Sequence, residues 1–571
     1  MSKLSVDQKS IYNLFSSKKS DFLIPDYQRP YAWGIEECET LWNDLFSFAI
    51  PEEDKNNFDS ENDEYYLGPI VTYQNKDKKF ELIDGQQRLT TILLLLRAFY
   101  DKFRYAQDDE TKATRRNIEQ CIWKTNEFDK PDLNRLKIDS EVATDEDKDE
   151  FLSILKTGTV GPKNRSFYAK NFQFFKGKVQ ELVEKYPTYT CVFAIRVIKN
   201  AILLPIEADS METALRIFST LNDRGLPLSD ADIFKAKFYK FFQSTNKKDD
   251  FIQKWKNLEV STKNIFGSDT RVSSNMDELF TRYMYFERAR MGVKETTTPS
   301  LRSFYTEKCK DFFKKESSFE GLSALADFWN RAYSQDVLSF SSEVLKRLYI
   351  LDKAPNGMWA YITSVYFLSN KRDDGSLDND AFIEFLDKII GFILGYAFIR
   401  PGVNALRTPI YPEMVKLVQG KTNYFEENKI SEKLLRDNLY RFEFSNQRRI
   451  TRSLLVWWLL SRSDQQYPQL YLPLHIEHIY AKKRNEVQPL SDPSLVESIG
   501  NKALLEDSIN IRASDYRFRD KTVYYEKSCN EELREIGGKV ADFNEKEITR
   551  RKELILEGFI EHLRKLNLLS D

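Results

Sequence analysis

The chain has 571 residues, of which 41% are hydrophobic, 14% aromatic and 30% charged, and its formal net charge is −2. This length allows about three or four domain-sized units, and the composition excludes a disordered or fibrous protein. The small net charge excludes a protein that coats nucleic acid through bulk electrostatics, so any contact with DNA has to be local.

No segment predicts a membrane span or a secretion signal. The longest apolar run in a predicted helix, residues 92–96, is far shorter than the roughly 18 residues that cross a bilayer. Residues 1–9 have no apolar core. The five cysteines are odd in number and share no short spacing, which argues against a disulfide framework. We therefore expect a cytoplasmic protein without a membrane contact.

Two N-terminal segments carry the first motif. Residues 24–33 read IPDYQRPYAW and precede a predicted helix over residues 35–48, while residues 80–91 read FELIDGQQRLTT. The second segment predicts a strand, an Asp-Gly turn and a helix. The first turn of a helix favours an anion such as phosphate and disfavours Arg88, unless a ligand or Asp84 lies between them. A surface turn with a salt-bridged Arg88 is the alternative interpretation.

A third segment, residues 209–232, predicts two helices joined by a turn. Asp209 with Glu212 forms a predicted capping box for the first helix, and Ser229 with Asp232 caps the second. The Asn-Asp-Arg-Gly sequence at residues 222–225 suits a helix-ending turn, and these residues serve only that turn in the plainer interpretation. Residues 241–430 then predict a helical region, rich in Phe and Tyr, that connects and orients the two ends.

The C-terminal motif contains two of the three histidines in the chain. Residues 474–479 read LHIEHI, and residues 501–510 read NKALLEDSIN. We predict a strand over residues 472–479, a returning strand over residues 501–505, and a helix that Asn510 opens.

Phosphodiester cleavage needs a base for the attacking water and a hard cation on the phosphate oxygens. His478, Glu477 and Asn510 could supply these contacts. The alternative is that His475 and His478 are ordinary strand or turn residues. A structural zinc site is disfavoured, because it needs four nitrogen or sulfur ligands and the nearest cysteine, Cys529, stands alone.

Basic residues flank the C-terminal motif. Residues 441–484 contain eight Lys or Arg against three Asp or Glu. The cluster indicates a local contact with DNA or, equally, an ordinary solvated helix face.

The C-terminal motif resembles that of the HNH, or ββα-metal, nucleases. The resemblance implies that Glu477 and Asn510 bind Mg²⁺ or Mn²⁺, that His478 is the general base, and that Asn501 orients the base. Two features depart from the pattern, since many relatives have Asp in place of Glu477 and Pro at the position of Ala481.

The N-terminal segments resemble the N-terminal domain of the GmrSD-like type IV restriction endonucleases, through Pro25, Gln28-Arg29, Trp33, the run Asp84-Gly85-Gln86-Gln87-Arg88 and residues 214–232. The resemblance implies a ParB/sulfiredoxin-like domain that binds and hydrolyses a nucleoside triphosphate, GTP or ATP. By this resemblance Gln86, Gln87 and Arg88 contact phosphate, Asp84 has a catalytic or metal-water role, and Gln28 with Arg29 forms the opposite wall. No Walker-type loop occurs in the sequence.

The sequence therefore predicts an α+β, mainly helical protein. Its predicted parts are a ParB/sulfiredoxin-like domain (1–240), a helical connecting region (241–430) and an HNH-type nuclease domain (431–571). We expect a nucleotide-dependent endonuclease of bacterial anti-phage defence that cuts modified phage DNA. The sequence also allows the protein to form a homo-oligomer. The alternative is a nucleotide-switched DNA-binding or abortive-infection protein, with a nuclease domain that has degenerated or acts on RNA or host DNA.

Overall fold

The computed structural model describes residues 5–571 apart from 129, 143–144, 146, 162–164, 222–228, 267–274, 471 and 515–516. The chain divides into two compact units, Met1–Lys256 and Asn257–Asp571. Helices dominate both units and the sheets are small, so the predicted α+β, mainly helical class is confirmed. The division into three parts at residues 240 and 430 stays a prediction.

The first unit contains a seven-stranded mixed sheet in the order β1-β9-β4-β5-β3-β8, and β2 also pairs with β9. Strand β3 runs parallel to both β5 and β8. The carboxyl ends of these three strands therefore lie at one edge of the sheet, which brings together the segments that follow them. The strands of this unit are β1 (Ser5–Val6), β2 (Lys9–Ser10), β3 (Phe22–Ile24), β4 (Tyr65–Gln74), β5 (Phe80–Asp84), β6 (Trp123–Thr125), β7 (Pro131–Leu136), β8 (Ile138–Ser140) and β9 (Ala201–Ala208).

The helices of the first unit surround a long buried helix, α3. They are α1 (Ile11–Phe15), α2 (Ile35–Ala49), α3 (Gln86–Phe103), α4 (Asp109–Ile122), α5 (Lys148–Thr157), α6 (Phe167–Lys185), α7 (Thr190–Asn200), α8 (Met211–Leu221), α9 (Asp230–Ser244) and α10 (Lys248–Phe266), which extends past the unit boundary. Helices α4, α5 and α6 all contact α3. Its apolar run at residues 92–96 is fully buried, as expected of a helix that is apolar on every side.

The second unit begins with helices and ends with a small hairpin and its supporting helices. Its helices are α11 (Asn275–Arg290), α12 (Leu301–Ser303), α13 (Glu316–Tyr333), α14 (Ser342–Asp352), α15 (Met358–Asn370), α16 (Asn379–Ile399), α17 (Arg407–Val418), α18 (Glu432–Arg441), α19 (Arg449–Leu460), α20 (Lys482–Val487), α21 (Asp507–Ala513), α22 (Phe518–Tyr525), α23 (Glu531–Lys539) and α24 (Glu545–Lys565). Its strands are β10 (Ile430–Ser431), β11 (Leu474–His478), β12 (Lys502–Glu506) and β13 (Leu569–Ser570). The predicted helical character of residues 241–430 is thereby confirmed for the described residues.

The hairpin follows the predicted order of strand, strand and helix, with one correction. Strands β11 and β12 pair antiparallel, and α21 follows β12 directly. Asn510 does not open this helix, because α21 begins at Asp507 and Asn510 is its fourth residue. An acidic residue in the first turn is stabilised by the helix dipole, which favours the earlier start.

Two further local findings concern the starts of helices α8 and α9. Ser210, not Asp209, caps α8, since its Oγ accepts a hydrogen bond from the Thr213 amide at 3.2 Å. Ser229 and Asp232 form the predicted capping box of α9. None of the described helices is both long enough and apolar enough to pass through a membrane.

Candidate functional site

The end of β11 and the middle of α21 line one open cleft in the second unit. Its volume is about 220 Å³, and it is lined by Ile476, Glu477, His478, Ala481, Lys482, Asn510, Ser514 and Lys521. Adjacent residues of a strand point to opposite faces, but β11 ends at His478 and the chain turns there. The structure therefore brings Glu477, His478 and Asn510 to one place.

His478 is mostly enclosed, with a side chain that is 12% exposed. Its Nε2 lies 3.4 Å from Glu497 Oε1, yet no described residue forms a hydrogen bond with this nitrogen. Burial, and then the positive charge of Lys502, lower the pKa of His478 to about 4. The imidazole is therefore neutral near pH 7 and has a nitrogen that can accept a proton.

Glu497 is a neighbour of His478 that the sequence analysis missed. Its carboxylate pairs with Lys482 at 2.6 Å and with Lys502 at 2.5 Å. Burial raises the pKa of Glu497, but these two lysines outweigh burial and bring it to about 2. The strand register places Lys502 opposite His478. Lys502 could therefore have been found from the predicted hairpin, whereas Glu497, which lies outside both strands, could not.

Glu477 is buried and held by two residues of α22. Its Oε1 accepts hydrogen bonds from Lys521 Nζ at 2.6 Å and from the Tyr525 hydroxyl at 2.8 Å. Lys521 also donates to the His478 carbonyl at 2.8 Å, so that it holds both residues of the acid-imidazole pair. Sequence analysis missed both partners, although their spacing of four places them on one face of a helix.

The remaining donors at the cleft fit a hard cation. No described residue forms a hydrogen bond with Glu477 Oε2 or with the side-chain amide of Asn510. Magnesium is commonly held by one or two protein oxygens together with waters and phosphate oxygens, so Glu477 and Asn510 could serve as its protein ligands. Within the described part of the chain, no group of three His, Cys, Asp or Glu residues is arranged to hold a metal ion.

Asn501 is fully buried between the two strands and organises the chain after the imidazole. Its Oδ1 accepts from the Tyr480 amide at 2.7 Å, and its Nδ2 donates to the carbonyls of Tyr480 and Val496 at 3.1 and 3.0 Å. These bonds fix the turn that follows His478 rather than the imidazole ring itself.

Ala481 is the residue at which the sequence departs from the proline of the HNH pattern. Its backbone has φ −63° and ψ 143°, and it precedes α20. Proline fixes φ near −65°, so Ala481 has the backbone conformation that proline would impose. This departure from the pattern therefore leaves the local geometry unchanged.

Half of the predicted basic cluster is neutralised by carboxylates. Ion pairs join Arg448 to Glu443, Arg462 to Asp464 and Glu535, Lys482 to Glu497, and Arg484 to Asp542. Arg441, Arg449 and Arg452 have no carboxylate partner among the described residues. These three arginines are the members of the cluster that remain available to an anionic partner.

In the first unit, the Asp-Gly-Gln-Gln-Arg motif forms the predicted strand, turn and helix. Gly85 has φ +91° and caps α3, and a Cβ built on it would lie 2.4 Å from Ile70 Cγ2. Both the left-handed backbone and the lack of space require glycine at this position.

The three glutamines of the N-terminal motifs bond to the backbone. Gln28 donates to the carbonyls of Leu82 and Ile83 at 3.1 and 3.0 Å. Gln86 Nε2 donates to the Arg29 carbonyl and Gln87 Nε2 to the Pro30 carbonyl, both at 3.1 Å, and the Ala32 amide donates to Gln87 Oε1 at 2.8 Å. These amides join the segment after β3 to the start of α3, and their predicted phosphate contacts stay a prediction.

Asp84 and Arg88, the charged residues of the motif, are only partly buried, whereas the glutamines are buried. Burial raises the pKa of Asp84 and lowers that of Arg88, while each charge partly offsets the effect on the other. Arg88 donates to the Pro69 carbonyl at 3.0 Å, and Arg29 Nε is buried without a hydrogen-bond partner among the described residues. Asn222, Arg224 and Gly225 of the third segment lie outside the described residues.

Two family models match the segments that contain the two motifs. A family model described as the N-terminal domain of GmrSD restriction endonuclease matches residues 11–239, and one described as the C-terminal domain of GmrSD restriction endonucleases matches residues 425–557. Together they cover more than half of the chain and define a DNA endonuclease of the restriction class. The chain belongs to the GmrSD-like type IV restriction endonucleases. No curated protein matches it.

Proposed function

We propose that this protein is an HNH-type, metal-dependent and nucleotide-dependent endonuclease that cuts modified phage DNA in the bacterial cytoplasm. One observation carries the proposal: Glu477, His478 and Asn510 line a single cleft at the end of a hairpin that is followed by a helix. The membership of a DNA endonuclease family agrees with it.

His478 is the general base of the proposed reaction. Its neutral ring and unpartnered Nε2 allow it to accept a proton from the water that attacks the phosphorus. Asn501 acts indirectly, because it fixes the turn at Tyr480 and so the position of the strand end. Lys482, which is 56% exposed, places positive charge beside the entering phosphate.

Glu477 through Oε2 and Asn510 through its amide oxygen would hold the cation, Mg²⁺ or Mn²⁺. When bound, this cation supplies positive charge to the phosphate oxygens. Lys521 and Tyr525 of α22 fix the Glu477 carboxylate through hydrogen bonds to Oε1, which leaves Oε2 for the cleft.

The N-terminal unit would bind and hydrolyse a nucleoside triphosphate, GTP or ATP, in a ParB/sulfiredoxin-like domain over residues 1–240. Arg29 and Arg88 supply positive charge near the start of α3, and Asp84 has a partly buried carboxylate beside them. Gln28, Gln86 and Gln87 hold the two walls together through the backbone, and Gly85 makes the turn. A helix start with nearby arginines suits the phosphates of a nucleotide.

The proposal is tested by digestion of unmodified, glucosylated-hydroxymethylcytosine and phosphorothioated DNA with Mg²⁺ and each triphosphate in turn. Glu477→Gln and Asn510→Ala should each lose cleavage at low Mg²⁺ and recover part of it at high Mg²⁺, because each removes one proposed oxygen ligand. Cleavage of all three DNAs without any nucleotide would contradict nucleotide dependence. Cleavage by Glu477→Gln with an unchanged Mg²⁺ requirement would contradict the metal site.

A second candidate function is a nucleotide-switched DNA-binding protein with an inactive nuclease domain. The ammonium of Lys521 favours it, since this group lies 2.6 Å from the carboxylate that would bind the metal. Wild-type protein that binds DNA but never nicks it, with any divalent cation and nucleotide, would support this candidate.

A further inference from the structure

Lys521 is a buried cation in direct contact with the proposed metal ligand. Its side chain is 1% exposed, and its Nζ lies 2.6 Å from Glu477 Oε1 and 2.8 Å from the His478 carbonyl. A lysine is rarely buried unless it is paired, and here the partner is Glu477, the carboxylate that lines the cleft among the described residues.

The described charged residues that line the cleft carry a net positive charge. The cations are Lys482 and Lys521, whereas the carboxylate is Glu477. A divalent cation that approaches this cleft therefore meets an environment with one excess positive charge, which disfavours its binding.

The substrate changes this balance. Each phosphate of DNA carries one negative charge, and the cationic lysines of the cleft attract it. A phosphate at the cleft compensates the excess charge and supplies oxygen ligands, so it makes the binding of a hard divalent cation favourable.

We propose that Lys521 is a resident counter-ion of Glu477, which keeps the affinity for a divalent cation low until a DNA phosphate enters the cleft. This inference rests on the proposed nuclease function and adds to it an order of binding: DNA and metal bind cooperatively. Binding free energies are reciprocal, so the metal strengthens DNA binding by the same factor.

The test measures Mn²⁺ binding by electron paramagnetic resonance of the free ion, using the full chain with His478→Ala to prevent cleavage. Lys521→Met replaces the ammonium with a neutral side chain of similar length. Without DNA, this variant should bind Mn²⁺ at least about tenfold more tightly than its parent, the full chain with His478→Ala alone, because one positive charge has been removed. Addition of a short DNA duplex should raise the affinity of the parent at least about tenfold and that of Lys521→Met by a smaller factor.

Two matched variants separate charge from packing. Lys521→Arg keeps the charge, and Tyr525→Phe removes the neutral donor to the same oxygen. Both should bind Mn²⁺ within about threefold of the parent without DNA. Thermal melting checks that each variant is folded. If Lys521→Met is unfolded at the assay temperature, Lys521→Gln replaces it. Its neutral amide can still donate a hydrogen bond to Glu477, and the same tighter binding is expected because the positive charge is again removed.

The outcomes distinguish this inference from the proposed function. A folded Lys521→Met, or in its place Lys521→Gln, that binds Mn²⁺ no more tightly than the parent overturns the counter-ion role alone, provided that Glu477→Gln weakens binding in the DNA complex. If Glu477→Gln leaves Mn²⁺ binding in the DNA complex unchanged, Glu477 is not a ligand, and the proposed metal site fails as well. Equal Mn²⁺ affinities of the parent with and without DNA contradict the order of binding.

Discussion

Burial of His478 has a consequence for stability as well as for catalysis. Its pKa in the folded protein is about 4, below its ordinary value of 6.5, mainly because the ring is enclosed. As the pH falls from 6.5 to 4, the unfolded chain therefore binds a proton before the folded chain does, and folding loses free energy. Below pH 4 both states are protonated and the loss is constant.

We predict that His478→Gln removes this part of the acid destabilisation. Between pH 8 and pH 4, the free energy of unfolding of the variant should therefore rise relative to that of wild type by up to about 3 kcal/mol. Denaturant unfolding at the two pH values measures the change. The comparison with wild type cancels the contribution of His562, whose pKa is also lowered by burial. The same pH dependence in both proteins would show that His478 is not held neutral.

Gly85 provides a second prediction for a single residue. Gly85→Ala combines a left-handed backbone with a Cβ 2.4 Å from Ile70 Cγ2, so it should destabilise the first unit by about 2–4 kcal/mol. Gly177→Ala is the control, because Gly177 lies within α6 with open space around it and should gain about 0.5–1 kcal/mol. Melting temperatures that shift equally in both variants would disprove the strain argument.

At the scale of elements, Arg551 joins α24 to the hairpin of β11 and β12. Its Nη1 donates to the Ile499, Gly500 and Lys502 carbonyls at 3.2, 3.1 and 2.6 Å. Its Nε and Nη2 form a bidentate pair with the Glu532 carboxylate at 2.9 and 2.7 Å. The start of β12 is thus held by a single buried guanidinium.

Arg551→Met should cost about 3–5 kcal/mol, because it leaves three carbonyls and a buried carboxylate without their partner. Arg550→Met is the matched control, since Arg550 is 64% exposed and pairs only with Glu547 on the surface, and a change of about 0.5 kcal/mol or less is expected. Chemical denaturation followed by tryptophan fluorescence measures both. A loss of similar size in the two variants would contradict the proposed role of Arg551.

The elements of the site were predictable from local sequence patterns. Alternating and apolar runs predicted both hairpin strands and helix α3, and capping residues predicted the start of α9. The start of α21 was predicted too late, because the acidic first turn at Asp507 was not weighed. These signals are local, since they depend on neighbours within one or two turns.

The partners of the site residues could not be predicted in the same way. Lys521 and Tyr525 follow Glu477 by more than forty residues, and only the packing of α22 against the hairpin brings them together. The backbone partners of Gln28, Gln86 and Gln87 were not predictable either. A buried amide needs a hydrogen-bond partner, and these amides donate to carbonyls more than fifty residues away in the chain. Such choices are made by tertiary contacts, which one sequence does not reveal.

For the whole molecule, the central question is how a triphosphate at one unit would affect cleavage at the other. We predict that Arg88→Met lowers triphosphate hydrolysis at least about hundredfold, since it removes a cation proposed to stabilise phosphate charge. Its Mg²⁺-dependent cleavage should equal that of wild type measured without nucleotide, and added triphosphate should no longer change it. Phosphate release and plasmid nicking, assayed on the same preparations, provide the two measurements. Normal hydrolysis by Arg88→Met would exclude Arg88 from the nucleotide site.

The most direct test of the account is the single-turnover rate at which wild type and His478→Ala nick modified plasmid DNA with Mg²⁺ and the triphosphate that supports wild-type cleavage. If His478 is the base at a metal-dependent phosphodiester site, the variant should be slower by at least about hundredfold, while its affinity for DNA changes by less than about twofold. Chelation of the metal should abolish nicking by both proteins. Nicking by His478→Ala at the wild-type rate would contradict the account.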